Sequence, residues 1–182
     1  MKILSIGNAI YRKRFDLCAL TCAKLEKEKT FDELSWRIIA EGPELEKLKQ
    51  MAPKSMEFLR RVEVLRDHYH WADVFVLPSY DEGFGLVYIE SIMSGCPIIA
   101  TAGEGAVEIV EQTGGGLLVD IVSDNALSVA NIKKAIIEIS HNYNLYMNPE
   151  IVERARDKMD PVRIQGEWQD LLDKCFDSKN SD

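Results

Sequence analysis

Residues 74–90 read VFVLPSYDEGFGLVYIE, and this stretch holds a strand pattern, a loop with two glycines and the start of a helix pattern. The segment from Val74 to Leu77 is short and apolar throughout, as is typical of a parallel strand buried on both faces. A Pro-Ser pair then ends the strand, and an amphipathic pattern predicts a helix over 86–94. A buried strand that leads through such a loop into a helix predicts part of a βαβ unit.

The same alternation of short apolar runs and longer amphipathic runs continues on both sides of this stretch. Strands are predicted at 3–6, 36–40, 56–59, 74–77, 98–101 and 116–119, and helices at 15–29, 44–51, 64–71, 86–94 and 106–112. From Asp124 onward only helical patterns remain, with helix starts predicted at Asn148-Pro149 and Asp160-Pro161. The sequence therefore predicts an α/β fold, an open parallel sheet of about six strands with helices on both faces, plus C-terminal helices.

Length and composition indicate one soluble globular domain. The chain has 182 residues, of which 46% are hydrophobic and 29% are charged, so it can bury a sizeable core. We expect a single domain over 1–182, with the sheet core in 1–122, the C-terminal helices in 123–177 and a frayed tail in 178–182. No run approaches the roughly 20 apolar residues that a membrane span needs.

The charge and the cysteines exclude several function classes. The net charge is -8, which argues against nucleic acid or an anionic membrane as the main partner, because both favour an excess of Lys and Arg. The four cysteines form no CxxC pair, so we expect reduced thiols in a cytoplasmic protein, with Cys18 and Cys22 on the buried face of a helix. His68 and His70 are two residues apart and face different ways on a helix, so no paired metal site is expected.

The loop before the helix at 86–94 has the composition of an anion site. Gly83 and Gly85 allow the backbone to approach a ligand closely, and the amides at the helix start point into the same space. Because Glu82 and Glu90 would repel a phosphate, we assign them to the neutral hydroxyls of a sugar and a ribose. The alternative from spacing alone is a helix-capping Glu and a solvated Glu, since a single G-x-G pattern is weakly specific.

Glu82 and Glu90 have the spacing of an E-x7-E motif, and the stretch resembles the retaining GT-B glycosyltransferases of the glycogen-synthase-like, group 1 (family 4) type. The resemblance continues in SGCPIIAT at 94–101, EIV at 108–110 and GGLLV at 115–119, and reaches back to AEGPEL at 40–45 and RKRFD at 12–16. It covers about residues 2–120 in order and is weaker in the C-terminal helices. It implies a Rossmann-like, donor-binding domain that is one half of a GT-B fold.

The resemblance also implies a role for each matching residue. It assigns Glu90 to the ribose hydroxyls of a nucleotide-sugar, Glu82 to the donor sugar as the catalytic glutamate, and Lys13 to the diphosphate. Arg12 is a further substrate-binding candidate. The residues whose backbone is implied to meet sugar and phosphate are Gly83, Phe84, Gly85 and Leu86. The family is generally metal-independent, so no metal or other cofactor is implied beyond the nucleotide-sugar substrate.

Two positions depart from the family pattern. Where the family has an Arg after the first strand and a Gly after the Lys, this chain has Asn8 and Arg14. Loss of a charge-assisted contact costs about 1.5–3 kcal/mol, so we expect donor affinity to fall by about tenfold or more unless Arg12 or Arg14 replaces the missing cation. The other interpretation of residues 12–14 is a solvated basic segment at the start of a helix.

The resemblance implies the donor half of a retaining glycosyltransferase that moves a sugar from a UDP- or GDP-sugar to a hydroxyl of a glycan or glycolipid. Since the first strand begins beside Met1, we expect the N-terminal acceptor domain to be absent or supplied by another subunit, and the chain alone to be inactive. We expect it to work in the cytoplasm, either free or peripheral to the membrane through an acceptor domain. The alternative is a non-catalytic nucleotide-binding or partner-stabilising subunit of the same descent, which Asn8 and Arg14 favour.

One apolar stripe near the C-terminus has two interpretations. It is formed by Trp168, Leu171, Leu172 and Phe176. Helical spacing places these residues on one face, and that face is either part of the core or an interface with another domain.

Overall fold

The structure is a computed structural model that describes residues 1–60, 62–80, 82–83 and 85–177. Its strands are β1 (Lys2–Asn8), β2 (Ser35–Glu41), β3 (Met56–Leu59), β4 (Val74–Leu77), β5 (Ile98–Thr101) and β6 (Gly116–Val119). Its helices are α1 (Phe15–Glu28), α2 (Leu45–Met51), α3 (Arg66–Trp71), α4 (Leu86–Met93), α5 (Glu104–Thr113), α6 (Asn125–His141), α7 (Tyr143–Tyr146), α8 (Pro149–Lys158) and α9 (Pro161–Asp177). A short 3₁₀ turn, Tyr11–Lys13, connects β1 to α1.

The six strands form one parallel sheet in the order β3-β2-β1-β4-β5-β6. β1 lies in the middle, where Ile3 is in register with Trp36 of β2 on one side and with Val74 of β4 on the other. The chain therefore reverses its direction of progress across the sheet between β1 and β4. Ligands of such sheets bind beyond the carboxyl ends of the strands at this reversal, so the loops after β1 and β4 are the first place to look for a site.

The predicted fold class is confirmed. β3, β4, β5 and β6 have the predicted bounds, and β1 and β2 extend one or two residues beyond theirs at each end. The helix predicted at 64–71 begins later, at Arg66, and its N-cap residue, Leu65, offers no capping oxygen. The helix predicted at 106–112 begins earlier, at Glu104, although Gly105 is a poor helix former.

The core lies between the sheet and two helical layers. α1 contacts α2 and α6, while α4 and α5 contact α8, so the helices cover the sheet in two groups. β4 is buried over its whole length. Inside the core, the Ser5 hydroxyl donates to the Val76 carbonyl at 2.6 Å and accepts from the Trp36 indole at 3.0 Å, so this buried polar group is satisfied. As predicted, Cys18 and Cys22 lie on the buried face of α1.

The apolar stripe on α9 is exposed in this chain. Trp168, Leu171 and Leu172 have side chains that are about half exposed, so they are not part of the core, while the side chain of Phe176 and the tail at 178–182 lie outside the described residues. Among the helices of the described ranges, none has both the length and the apolar character that crossing a membrane requires.

Candidate functional site

Three connected clefts lie along the carboxyl ends of the strands. The central cleft, of about 450 Å³, is lined by Ile6, Gly7, Asn8, Lys13, Glu82, Gly83, Gly85, Leu86 and Val87. The linking cleft, of about 390 Å³, shares Ile6, Gly7 and Asn8 with the central cleft and continues to Glu63 and Leu65. The lateral cleft, of about 480 Å³, shares Glu63 and Leu65 with the linking cleft and is also lined by Arg66, Tyr69, His70, Glu90, Met93, Ser94 and Arg156. Neighbouring clefts share lining residues, so the three clefts lie next to one another.

The wall of the central cleft formed by the β4–α4 loop depends on Gly85. Its φ is +68°, and a Cβ atom there would collide with the ring of Tyr88. Gly85 is the N-cap of α4 and has no side chain to cap the helix. The first amides of α4, at Leu86 and Val87, have no acceptor within the helix, and both residues line the cleft, so this end of α4 favours an anion.

An ion pair between Lys13 and Glu82 lies in the central cleft. The Lys13 ammonium binds the Glu82 carboxylate, and the two side chains are only 11% and 20% exposed. The 3₁₀ turn after β1 presents Lys13, and the loop after β4 presents Glu82. The sequence assigned the two residues to different parts of a ligand and did not predict that they pair. The two charges therefore neutralise each other.

The two loops that carry this ion pair are joined through the backbone of Arg12. The Tyr80 amide donates to the Arg12 carbonyl at 2.9 Å, and the Ser79 hydroxyl donates to the same oxygen at 3.3 Å. Arg12 is exposed and is not among the described residues that line the three clefts. Its carbonyl group joins the two loops, and its role in substrate binding stays a prediction.

Arg14 occupies a different place from the one that a phosphate-binding cation needs. Its side chain is 3% exposed and donates to the Asp16 carboxylate, to Asn125 Oδ1 at 2.6 Å and to the Tyr80 hydroxyl. The guanidinium also lies 4.6 Å from the centre of the Tyr80 ring. Burial lowers the pKa of Arg14, but the hydrogen bond and the charge of Asp16 outweigh this and raise it, so the group stays charged. These partners therefore hold the Arg14 side chain, and it does not supply the cation that is missing at position 8.

Glu90 lies in the lateral cleft, on the exposed side of α4. Its Oε2 atom accepts a hydrogen bond from the Tyr69 hydroxyl at 3.1 Å. Burial, together with the negative charge of Glu90, raises the pKa of Tyr69, so the phenol stays protonated and donates. Arg156 reaches the same cleft from α8, a helix that lies outside the region where the sequence resemblance is strong.

The structure brings most of the predicted site residues to one edge of the sheet. Lys13, Glu82, Gly83, Gly85 and Leu86 meet in the central cleft, and Glu90 lies in the lateral cleft that the linking cleft joins to it. Phe84 lies outside the described residues. What each residue binds stays a prediction.

Sequence reasoning missed several residues that line the clefts. These are Arg66, Tyr69, His70, Ser94 and Arg156. Of this set only His70 was considered, and only as a metal ligand. In the described part of the chain, no group of three His, Cys, Asp or Glu side chains is arranged to hold a metal ion. No local motif marks these residues, because α3, α4 and α8 come together only in the folded chain.

Comparisons with known proteins agree with this architecture. Residues 1–141 match the family model of the glycosyl transferases group 1. An uncharacterised glycosyltransferase of Haemophilus influenzae is 27% identical in an alignment of 177 positions that covers 93% of this chain and 48% of that protein. The GDP-mannose-dependent alpha-(1-6)-phosphatidylinositol monomannoside mannosyltransferase of Mycolicibacterium smegmatis is 30% identical in an alignment of 142 positions that covers 70% of this chain and 37% of that protein.

A solved structure shows the same fold. The Anabaena protein HepE, in complex with UDP and glucose, has a TM-score of 0.75 to this chain at 16% identity, over 95% of this chain and 48% of that one. The chain therefore spans about half the length, or less, of the relatives it matches. Since the family model covers well over half of the chain, the protein belongs to the glycosyl transferases of group 1, and its fold is that of a GT-B glycosyltransferase domain.

Proposed function

We propose that this member of the group 1 glycosyltransferases is the donor-binding half of a retaining enzyme that moves a sugar from a UDP- or GDP-sugar to an acceptor hydroxyl. The observation that carries the proposal is the placement of Lys13, Glu82 and the uncapped end of α4 in one cleft that connects with the cleft of Glu90. A nucleoside diphosphate-sugar has the matching order of groups. In this proposal its sugar and diphosphate occupy the central cleft, and its ribose lies in the lateral cleft, which Glu90 lines.

The diphosphate is the part of the donor that the central cleft suits best. As the glycosidic bond breaks, negative charge grows on the departing diphosphate. A fixed cation and helix amides aimed at that charge stabilise the transition state more than the bound substrate. Lys13 and the first turn of α4 are the groups that do this in our proposal. The diphosphate has to compete with Glu82 for the Lys13 ammonium, because the two side chains form an ion pair.

Once Lys13 binds the diphosphate, the Glu82 carboxylate is released toward the donor sugar. It then accepts hydrogen bonds from sugar hydroxyls and acts as the catalytic glutamate of the proposal. Retention of the anomeric configuration is proposed from the resemblance of Glu82 and Glu90 to the E-x7-E motif of retaining enzymes. No metal ion takes part in the proposed step.

The acceptor side of the reaction is proposed to come from a separate domain or subunit. The relatives are about twice as long as this chain or longer, and two of them are named for or solved with nucleotide-sugar components, GDP-mannose in one case and UDP with glucose in the other. Correct positioning of two substrates accounts for many powers of ten in rate, so we propose that the chain alone turns over poorly. The acceptor is proposed to be a glycan or glycolipid, with the protein in the cytoplasm or peripheral to a membrane.

A second candidate is a non-catalytic subunit of the same descent. One observation favours it: Asn8 lines the central cleft where the family has an Arg, while Arg14 is held by Asp16, Tyr80 and Asn125. The cleft therefore has one cation fewer than the family pattern. In this candidate the chain binds a nucleotide weakly and stabilises a partner.

Donor binding is tested by thermal denaturation with UDP, GDP, ADP and their common sugars, for the wild type and for Glu90→Gln. A ligand at about 100 times its dissociation constant stabilises the fold by roughly 2.7 kcal/mol, which is a shift of a few degrees in Tm for a domain of this size. We expect one nucleotide to produce that shift, and Glu90→Gln to reduce it. Glu111→Gln, an exposed glutamate on α5, is the matched control and leaves the shift unchanged.

The outcomes separate the two candidates. A nucleotide-specific shift, followed by sugar transfer when an acceptor domain is added, supports the enzyme. A shift without transfer under the same addition favours the non-catalytic subunit. If no nucleotide stabilises the wild type, the donor-binding proposal is wrong.

A further inference from the structure

A row of three buried aromatic rings connects the regions of the two motif glutamates. The rings of Tyr69 and Phe75 have centroids 5.9 Å apart, and those of Phe75 and Tyr88 are 6.1 Å apart. At one end, Tyr88 lies against Gly85 in the loop between β4 and α4, and the Tyr88 hydroxyl donates to the Leu77 carbonyl at 3.1 Å. At the other end, the Tyr69 hydroxyl donates to Glu90. Of the two tyrosine hydroxyls, only that of Tyr69 therefore donates to a carboxylate.

The Tyr69 hydroxyl is a hydrogen-bond donor with a fixed position. The Tyr69 side chain is 2% exposed, and its ring is held by Phe75, so the hydroxyl has little freedom to move. It stays protonated because burial and the adjacent carboxylate raise its pKa. A phenol donates one hydrogen bond, and here its acceptor is Oε2 of Glu90 at 3.1 Å.

Glu90 itself is exposed and has three side-chain torsions, so without a partner its carboxylate would sample many orientations. The carboxylate accepts the hydrogen bond from Tyr69 through Oε2. Oε1 is the carboxylate oxygen that this hydrogen bond does not use, and Glu90 and Tyr69 both line the lateral cleft.

We propose that Tyr69 is a positioning residue for ribose recognition: its hydroxyl holds one oxygen of Glu90, so that the other oxygen is directed at the ribose hydroxyls of a bound nucleotide. The inference rests on the proposed function, in which Glu90 binds the ribose. A carboxylate that is oriented before binding does not have to be ordered when the nucleotide arrives, so the orientation contributes to affinity. By the ordering cost of one flexible side chain, the contribution is about three- to tenfold.

The test compares ribonucleotides with their deoxy analogues. The dissociation constants of UDP and GDP are measured by calorimetry, and then those of the 2′-deoxy and 3′-deoxy forms of whichever nucleotide the wild type binds. The variants are Tyr69→Phe, Glu90→Gln and the double variant. Tyr69→Phe keeps the ring and its contact with Phe75 and removes only the hydroxyl.

The chain contains a matched control in a second Tyr–Glu hydrogen bond. The Tyr146 hydroxyl donates to Glu138 Oε1 at 3.2 Å, and neither residue lines the three clefts. Tyr146→Phe therefore removes the same kind of bond without touching the site, and we expect it to leave every dissociation constant unchanged.

We expect Tyr69→Phe to weaken the ribonucleotide about three- to tenfold while at least one deoxy analogue binds as before, so that the preference for ribose falls. In the double variant, the loss should be no greater than in Glu90→Gln alone, because Tyr69 acts through Glu90. Equal weakening of the ribonucleotide and both deoxy analogues by Tyr69→Phe would show a packing role and overturn the inference.

The inference and the proposed function fail in different ways. If the wild type binds neither nucleotide, the proposed function is wrong and the inference falls with it. If the wild type binds and Glu90→Gln lowers the ribose preference, but Tyr69→Phe does not, then the proposed function stands and the role of Tyr69 is wrong.

Discussion

Gly83 and Gly85 are two residues apart in one loop, but the fold requires glycine at only one of them. Gly85 has a φ of +68°, and any Cβ there meets the ring of Tyr88. At Gly83, a Cβ would meet no atom of the described residues within 4 Å, and the open space around it belongs to the central cleft. The packing of the protein therefore requires glycine at Gly85 but not at Gly83, and the proposed ligand would account for the glycine at Gly83.

This difference predicts that an alanine at position 85 lowers the stability of the fold, whereas an alanine at position 83 weakens ligand binding. Gly85→Ala should lower the free energy of unfolding by about 2 kcal/mol or more, because a left-handed backbone costs a non-glycine residue about 1–2 kcal/mol and the Tyr88 ring must also move. Gly83→Ala should change it by less than about 0.5 kcal/mol but weaken nucleoside diphosphate binding, because the methyl group enters the cleft. Urea denaturation and calorimetric titration of both variants measure the two effects. Normal nucleotide binding by a stable Gly83→Ala protein would contradict the placement of the ligand.

At the scale of single residues, the sequence predicted which residues lie at the site better than what they touch. The spacing of Glu82 and Glu90 placed both at the edge of the sheet. The ion pair of Glu82 with Lys13 joins residues 69 apart, and the bond of Glu90 to Tyr69 joins residues 21 apart. Such contacts depend on how strands and helices pack, and no local pattern encodes them.

At the scale of elements, the Arg14 side chain connects the start of α1 with the loop after β4 and with α6. Arg14 lies at the start of α1 with a φ of +50°, and it reaches Tyr80 in the loop after β4 and Asn125 at the start of α6. The left-handed backbone explains why the family pattern has glycine here. In this chain a buried arginine occupies the strained position, and its hydrogen bonds offset the strain.

Replacing Arg14 with Ala and with Gly separates these two effects. Both variants lose the hydrogen bonds to Asp16, Tyr80 and Asn125, so each should be destabilised by about 2 kcal/mol or more. Arg14→Gly should be the more stable of the two by about 1 kcal/mol, because glycine adopts the left-handed conformation without strain. The measurement is the free energy of unfolding in urea.

Arg163→Ala is the control for these variants, since its exposed pair with Glu167 is worth less than about 1 kcal/mol. If Arg14→Gly proved less stable than Arg14→Ala, the backbone strain would not be the reason for the family's glycine.

Helix boundaries could be predicted where local chemistry sets them. The Asn148 side chain accepts from the Ile151 amide at 3.2 Å, and Asp160 accepts from the Val162 amide at 2.9 Å, so α8 and α9 begin where the Asn-Pro and Asp-Pro pairs predicted. α3 has no such cap, and its start was predicted two residues too early. The lateral cleft was missed for a related reason: it forms where α3, α4 and α8 meet, and no local signal describes that meeting.

At the scale of the whole molecule, buried thiols make the fold sensitive to alkaline pH. Burial raises the pKa of Cys22 and of Cys96 to about 12 and that of Cys18 further, from an ordinary value near 9. Above about pH 9 the unfolded chain releases these protons while the folded chain retains them. The unfolded state then binds fewer protons, so the free energy of unfolding falls as pH rises from about 9 to 12.

The expected slope is up to about 1.4 kcal/mol per pH unit for each thiol in that range. Urea denaturation at pH 8, 9.5 and 10.5 measures it for the wild type and for the Cys22→Ala/Cys96→Ala double variant. The double variant should lose less stability between pH 9.5 and 10.5, since two of the titrating groups are gone. Parallel curves for the two proteins would show that these thiols do not control alkaline unfolding.

The fold as a whole could be predicted because short apolar strands and amphipathic helices alternate with little ambiguity up to Val119. The position of the site at the carboxyl edge followed from the same alternation, since a parallel sheet gathers its loops there. The three clefts could not be predicted, because their walls come from loops and helices that meet only in the folded chain.

The central claim, that the central cleft binds the diphosphate of a nucleotide-sugar, is tested most directly by calorimetric titration of UDP and GDP into the wild type and Lys13→Met. We predict one binding site per chain for one of the nucleotides, and a loss of about tenfold or more in affinity for Lys13→Met, because a charge-assisted contact is removed. Lys47→Met, at a lysine whose side chain is 74% exposed on α2, should bind as the wild type does. No binding of either nucleotide, or equal affinity in the wild type and Lys13→Met, would contradict the account.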